Sequence, residues 1–129
     1  KDRPIHLLGI GGISDIFMGV RQGIDTFDCV HPTRIARHGG ALVRGHERGH
    51  LQIRNAAYRE DSGPLQDGCA CHTCQTYSRA YLHHLFKAKE ILGMQLITLH
   101  NIQFMNDLLA DIRKGLATRT LDAVETKWC

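Results

Sequence analysis

The sequence predicts an α/β fold, and two features near its start lead to that class. Residues 4–10 (PIHLLGI) and 26–30 (TFDCV) are short apolar segments, which are typical of buried strands. Between them, apolar residues at 16, 17, 20 and 24 share one helical face. This helix should be capped at Ser14 and Asp15 and stop at Gly23. A strand, a helix and a strand predict a βαβ unit whose two strands are parallel and mostly buried.

The middle of the chain predicts a small antiparallel region. His31 and Pro32 should end the second strand, because proline interrupts a hydrogen-bonded ladder. Residues 41–43 and 51–53 then flank a glycine-rich loop and predict two short antiparallel strands. Residues 62–64 (SGP) predict a turn.

The last third of the chain predicts helices. Residues 78–92 carry apolar side chains on one face, and Gly93 should stop this helix. A further helix should begin at His100 and run to Ile112. The final dozen residues predict a fraying helix or a tail.

Composition bounds the class of protein without naming a partner. A length of 129 residues predicts one domain, and the net charge of +3 is small. The region 34–59, however, contains six arginines, no lysine and a single acid, Glu47. Arginine binds phosphate in a bidentate manner, so this region is either a phosphate-binding surface or a solvated face. No stretch of the sequence approaches the length of a membrane-spanning helix.

The most distinctive motif is C-x-C-x2-C followed at a distance by histidine. Its residues are Cys69, Cys71, Cys74 and His100. Three thiolates and an imidazole are the ligands of a closed tetrahedral zinc site, so we expect one structural Zn²⁺ per chain. Redox-active or unpaired thiols are the alternative. Disulfides are disfavoured because Cys69 and Cys71 are poorly placed to pair and the chain has five cysteines, an odd number. Reduced thiols in this spacing favour a cytoplasmic location.

Two further patterns match known motifs only in part. Residues 46–50 (HERGH) fit the H-E-x-x-H signature of zinc proteases, but glycines at 45 and 49 argue against the required helix. Gly9 and Gly11 followed by Asp28 half-resemble a dinucleotide fingerprint in which Ser14 replaces the third glycine. This turn is either a loop that binds phosphate through its backbone N–H groups or a plain tight turn.

Asp28 is the candidate for chemistry. It lies near the C-terminal end of a predicted parallel strand, where α/β folds place their catalytic groups. A structural carboxylate that caps a loop or pairs with Arg34 is an equal alternative. Cys29 should face the opposite side of the strand, because side chains alternate. His83 and His84 are adjacent on a helix, so at most one faces the core, and packing is the role we expect.

Several blocks together resemble the tRNA-guanine transglycosylases, most closely the C-terminal portion of bacterial members of the queuosine pathway. These blocks are residues 27–34 (FDCVHPTR), the cysteine motif with Gln75, residues 78–84 (SRAYLHH), and His100 with Asn101. They agree in order and spacing over nearly the whole chain. The family normally has an apolar residue where this chain has His31, and it varies at Ile35 and Ala36.

The resemblance implies a fold class and an activity. The fold is the C-terminal part, with the last strands, of a (β/α)8 TIM barrel that carries a zinc-binding subdomain. The enzyme exchanges the wobble guanine of tRNA for a 7-deazaguanine base through a covalent intermediate on ribose. Its general acid/base and base-recognising residues would lie outside this chain, which we therefore expect to be a fragment that is inactive alone. A homodimer of the full-length protein is also implied, with Tyr81 and His84 as candidate contacts.

The resemblance also assigns roles to individual residues. Asp28 aligns with the nucleophile, and Leu8 and Gly9 align with a wall of the base pocket. The zinc ligands align with Cys69, Cys71, Cys74 and His100. The tRNA contacts align with two segments: Gly9, Ile10, Gly11, Gly12, Ile13, Ser14 and Asp15, and Thr33, Arg34, Ile35, Ala36 and Arg37.

The domain organisation that follows has three parts. Residues 1–38 would form the last βαβ unit of the barrel, with the nucleophile and the tRNA loops. Residues 39–68 would form antiparallel strands and a loop, and residues 69–129 a helical zinc subdomain. The alternative function is a non-catalytic zinc module of the same family that binds tRNA or dimerises.

Overall fold

The computed structural model describes residues 2–129 and shows a mixed α/β domain that is mostly helical. Its strands are β1 (His6–Leu8), β2 (Thr26–Asp28), β3 (Gly40–Leu42) and β4 (His50–Gln52). Its helices are α1 (Ile13–Arg21), α2 (His31–Arg37), α3 (His72–Thr76), α4 (Arg79–Lys87), α5 (Ile91–Thr118) and α6 (Leu121–Trp128), with a 3₁₀ turn at Ala56–Tyr58. No helix within residues 2–129 is long and apolar enough to cross a membrane.

The predicted βαβ unit is present, but its strands are not buried. β1 and β2 pair in parallel, with Leu8 opposite Asp28, and α1 connects them. Leu8 is nonetheless 67% exposed, because no other strand within residues 2–129 joins this pair. The predicted burial of both strands is therefore wrong for the described part of the chain.

The two short helices begin at residues that the sequence pattern had assigned differently. Gly12, not Ser14 or Asp15, caps α1, and no side chain completes this cap. α2 begins at His31, and Pro32 occupies its first turn, where a missing N–H costs nothing. The pattern predicts no helix there, because His31 and Pro32 mark only the end of a strand.

The predicted antiparallel pair is confirmed. β3 pairs with β4, with Ala41 opposite Leu51, and both side chains are buried. They join a core made largely of apolar side chains from the hairpin, α4 and α5. The hairpin thereby fixes the position of the α4–α5 region, which carries part of the candidate site.

The boundary between the two long helices was predicted wrongly. α4 ends at Lys87, and the backbone reverses at Lys89, which has a φ of 58°. α5 begins at Ile91, so Gly93 lies inside this helix and His100 lies in its middle. A Cβ at Gly93 would lie 3.1 Å from the Phe86 ring, so glycine here permits close packing of α5 on α4 and does not stop a helix.

The C-terminal residues form a packed helix and not a fraying tail. Trp128 of α6 is 6% exposed and packs edge-on against Phe104 of α5. Asp111 accepts hydrogen bonds from Trp128 Nε1 and Lys127 Nζ, each at 2.9 Å. These hydrogen bonds lower the pKa of the Asp111 carboxyl. Periodicity alone missed this contact, because it depends on a single tryptophan near the end of the chain.

Candidate metal centre and catalytic cleft

Three thiols and one imidazole converge in the interior of the domain. The ligand atoms of Cys69, Cys71, Cys74 and His100 all lie within 4.8 Å of one another. His100 Nδ1 lies 3.3–3.6 Å from the three sulfur atoms. The sequence prediction that these four residues come together is confirmed, and the cluster could hold a metal ion.

Local structure explains how the thiols converge. Cys71 is the N-cap of α3, and its sulfur accepts a hydrogen bond from the Cys74 N–H at 3.3 Å. The Gln75 side chain donates to the Cys69 carbonyl at 2.8 Å and closes the loop. Thr73 fixes α3 against α5 by donating to the Leu96 carbonyl at 2.5 Å. One turn therefore presents all three sulfurs toward α5.

A backbone hydrogen bond orients the histidine. His100 is fully buried, and its Nε2 lies 2.7 Å from the Leu42 carbonyl of β3. An imidazole that donates from Nε2 leaves Nδ1 as the free lone pair, and Nδ1 is the atom that faces the sulfurs. Such an outer hydrogen bond is a common feature of histidines that ligate metals.

The electrostatics of the cluster fit a bound cation. Burial raises the pKa of the Cys69 thiol and raises that of Cys74 to about 12, while burial lowers the pKa of His100. Burial thus disfavours thiolates unless a positive ion compensates them. The donor set, with its ligand atoms within 4.8 Å of one another, fits a closed structural site for a divalent metal.

Asp28 lies in a second location, a surface cleft of 350 Å³ at the C-terminal end of β2. Its lining residues are Gly9, Asp28, Cys29, Val30, His31 and Arg34. The Asp28 side chain is exposed, and within residues 2–129 it makes no ion pair, with Arg34 or with any other cation. The alternative that Asp28 pairs with Arg34 is therefore not supported.

The glycine-rich turn borders this cleft. The Gly9 N–H donates to the Asp28 carbonyl at 2.8 Å, which continues the parallel pairing of β1 and β2. Gly11 is buried against Cys29, and a Cβ at Gly11 would collide with the Cys29 side chain. The turn consequently keeps a fixed position beside Asp28, Gly12 caps α1, and residues 13–15 form its first turn.

The second predicted RNA-contact segment, residues 33–37, lies on α2 and presents two different faces. Arg34 and Arg37 are exposed, whereas Ala36 is buried and Ile35 packs against the core. Thr33 donates to the Val30 carbonyl at 3.1 Å and stabilises the start of the helix. Only the two arginines and Thr33 are thus placed to reach a ligand directly.

Asn101 links the two locations, and sequence reasoning gave it no role. Its Oδ1 accepts from the Leu42 N–H at 2.9 Å. Its Nδ2 lies 2.8 Å from the Pro32 carbonyl of α2 and 3.0 Å from the Gly40 carbonyl of β3. His100 and its neighbour therefore tie the metal centre to the start of α2. The one sequence feature that could have indicated this role is that Asn101 directly follows the candidate ligand His100.

The remaining histidines take other roles. Residues 46–49 form a loop with glycines at φ of 77° and 75° on positions 45 and 49, and His50 begins β4, so the protease motif lacks its helix. Within residues 2–129 no metal-binding group includes His46 or His50. His83 is buried, with Nδ1 2.7 Å from the Ile53 carbonyl, while His84 is exposed. The predicted packing role is confirmed for His83.

A cluster of three cysteines and a histidine that could hold a metal, linked through Asn101 to a cleft with an exposed carboxylate, is the candidate site of this α/β domain. The model of the queuine tRNA-ribosyltransferase family matches residues 1–129. The chain therefore belongs to this family, as the sequence resemblance indicated.

Three curated relatives are each named queuine tRNA-ribosyltransferase. The Roseiflexus sp. (strain RS-1) protein is 49% identical over 126 residues, covering 97% of this chain and 32% of the relative. The Desulforudis audaxviator protein is 48% identical, covering 91% and 31%. The Shewanella halifaxensis protein is 46% identical, covering 98% and 33%. The chain thus spans about a third of the length of these relatives.

Proposed function

We propose that this chain contributes the nucleophile and part of the RNA-binding surface of a tRNA-guanine transglycosylase. The observation that carries the proposal is the carboxylate of Asp28, which lies exposed at the end of a parallel strand without an ion-pair partner within residues 2–129. Family membership supports the same activity. An unpaired carboxylate beside a cationic side chain is suited to attack an electron-poor carbon.

The reaction would proceed by two displacements on ribose. An oxygen of Asp28 attacks the anomeric carbon of the wobble nucleotide while the bond to guanine breaks, and the electron pair leaves with guanine. The departing guanine takes a proton from a group that we place outside this chain. A 7-deazaguanine base then loses its N9 proton to that same group outside this chain, attacks the same carbon through N9 and releases the Asp28 carboxylate. Two inversions retain the configuration, as in retaining glycosidases.

The RNA would lie across the cleft edge. Arg34 and Arg37 would contact phosphates, and Thr33 and the turn from Gly9 to Asp15 would position the strand through backbone and side-chain donors. Leu8 and Gly9 would form a wall of the base pocket. Contacts to phosphates fix the register of the RNA, while the pocket selects the base.

The metal centre would hold Zn²⁺ through Cys69, Cys71, Cys74 and His100. When bound, the ion supplies structure: it joins the cysteine loop to α5 and takes no part in the displacement. Such a site requires reduced cysteines, which favours a reducing cytoplasm.

The exposure of β1 and β2 supports a barrel. A parallel pair is normally covered on both faces, and further strands beside it would cover Leu8. We place residues 1–38 in the last βαβ unit of a (β/α)8 barrel, residues 39–68 in a hairpin and loop, and residues 69–129 in the zinc subdomain. Without the other barrel strands the chain should be inactive.

The proposed function is tested with a chimera. This chain replaces the matching 126 residues of the Roseiflexus relative, which supplies the remaining sequence. The chimera should incorporate radiolabelled guanine into tRNA that carries a wobble guanine, and this chain alone should not. A folded, metal-loaded chimera without exchange would contradict the proposal, provided that the intact relative is active in the same assay.

Arg34→Ala should weaken RNA binding, because Arg34 is exposed beside Asp28 and makes no ion pair within residues 2–129. A variant that neutralises one phosphate fewer should show a slope of log affinity against log salt that is shallower by about 0.7. The measurement is fluorescence anisotropy with an anticodon stem-loop RNA, and Arg59→Ala is the matched control. Equal slopes in both variants would mean that Arg34 is a solvated surface charge that does not contact an RNA phosphate.

We also propose a homodimer through α4. Tyr77 and Tyr81 stack with ring centroids 5.0 Å apart, and Tyr81 is 38% exposed beside exposed His84. Exposed, rigid aromatic pairs are typical of interface centres. Tyr81→Ala with His84→Ala should shift the protein toward monomer in light scattering, whereas Lys87→Ala should not. A monomeric wild type, or an unchanged dimer, would contradict this interface.

A further inference from the structure

The motif HERGH belongs to none of the roles proposed above, yet its loop forms one wall of a second cleft. This cleft has a volume of 290 Å³ and lies between residues 45–49 and the turn at Gly11 and Gly12. Met105, Trp128 and His31 also line it. Five separated parts of the sequence therefore build this cleft, so the loop alone does not form it.

His31 connects this cleft to the site of Asp28. Its side chain lines both the cleft with Asp28 and Arg34 and the cleft with the HERGH loop. The two clefts are thus neighbours that share one lining residue.

The second cleft is lined by one guanidinium, two imidazoles and one carboxylate. Arg48 and His46 line it from the loop, and His31 lines it from α2. Burial lowers the pKa of nearby His50, and the charges of His31, His46 and Arg48 lower it further. Within residues 2–129 no ion pair joins Arg48 to Glu47, which lines the same cleft. The unpaired guanidinium and the imidazole N–H groups are hydrogen-bond donors that suit an anion.

A metal is a poor occupant of this cleft. The described histidines do not bring their ring nitrogens into a common ligand sphere, since the metal-binding group found within residues 2–129 is the cysteine cluster. His46 Nδ1 already accepts a hydrogen bond from the Arg48 N–H at 3.2 Å. An anionic ligand uses the N–H donors and the guanidinium instead.

We infer that the cleft between the HERGH loop and the glycine-rich turn binds a phosphate of the RNA that enters the Asp28 cleft. Arg48 and His46 contact the phosphate from the loop, and His31 contacts it from α2. The inference rests on the proposed function, because it identifies the ligand as a continuation of the same RNA strand. It extends the RNA-binding surface to a segment that the sequence resemblance did not assign.

The test compares a double variant with a matched control. His46→Ala with Arg48→Ala should weaken binding of an anticodon stem-loop RNA severalfold at low salt. The slope of log affinity against log salt should become shallower by about 0.7, because one phosphate is no longer neutralised. Arg59→Ala, an exposed arginine outside both clefts, should change neither quantity. The full chain is used with its metal, and metal content and circular dichroism confirm that each variant is folded.

The outcomes separate this inference from the proposed function. If the double variant binds RNA as Arg59→Ala does while Arg34→Ala is impaired, the second cleft is not an RNA site and the proposed function stands. If inorganic phosphate shifts the His46 imidazole resonances but RNA does not, the cleft binds only a free anion and the inference is overturned. Retention of Zn²⁺ by His46 in the His100→Ala variant would overturn it as well. The proposed function itself is judged by base exchange in the chimera.

Discussion

His100→Ala should remove the bound metal and abolish cooperative unfolding of the domain. The imidazole is fully buried, and its Nδ1 faces three sulfurs at 3.3–3.6 Å. Structural zinc contributes about 10–16 kcal/mol in zinc-finger peptides, whereas a whole domain is stable by about 5–15 kcal/mol. Loss of this single ligand is therefore expected to cost a large part of the stability.

A second effect of the same substitution follows from the Nε2 hydrogen bond. His100→Ala leaves the buried Leu42 carbonyl without its partner, which costs about 1–3 kcal/mol in addition. His100→Cys supplies a thiolate as the fourth ligand but does not replace the hydrogen bond to the Leu42 carbonyl. It should retain metal and lose only part of the stability. The two variants together separate the contribution of the ion from that of the outer hydrogen bond.

The measurement is metal per chain by mass spectrometry together with thermal unfolding. Wild type should carry one Zn²⁺, and His100→Ala should carry none. A double variant, His46→Ala with His50→Ala, should keep its Zn²⁺, because these residues lie outside the cysteine cluster. Metal that depends on His46 and His50, or a wild type without metal, would overturn the assignment of the centre.

The sequence was sufficient to predict the metal centre because its ligands are chemically distinctive and closely spaced. Cys69, Cys71 and Cys74 fall on one turn, and few residue types other than cysteine and histidine bind zinc. The βαβ unit and the hairpin were also predictable, since short apolar segments separated by glycine leave few alternatives. In these elements the residues that determine the structure are close together in the sequence.

The helical boundaries were not predictable because tertiary contacts decide them. Gly93 reads as a helix stop, yet it is needed for the approach of Phe86 to α5. Trp128 ends a segment that reads as a tail, yet its packing on Phe104 and its hydrogen bond to Asp111 hold α6 in place. In both cases a contact with a neighbouring helix outweighs the local preference.

The candidate cleft was predicted only in outline. Asp28 was found through its place at the end of a strand, but the three hydrogen bonds of Asn101 that hold Pro32 and β3 leave no local pattern. An amide that satisfies three backbone groups is recognised only when those groups are brought together. The second cleft could not be predicted from the sequence for the same reason, because its walls come from segments that only the fold brings together.

Asp28→Asn in the chimera should abolish the covalent RNA adduct and reduce base exchange by at least about 10⁴-fold. Asparagine has nearly the same shape as aspartate, but its neutral amide is a poor nucleophile toward the anomeric carbon. RNA affinity should change little, because Asp28 is exposed and holds no other side chain in place. Removing its negative charge should, if anything, favour the approach of a polyanion.

The adduct is detected as a band of reduced mobility on a denaturing gel after incubation with tRNA. Asp67→Asn, an exposed carboxylate outside both clefts, is the control and should form the adduct as wild type does. An adduct that survives in Asp28→Asn would place the nucleophile elsewhere. Loss of RNA binding together with the adduct would make Asp28 a structural carboxylate, since a nucleophile acts after binding and not in it. Retained affinity without an adduct is the result that only a nucleophile explains.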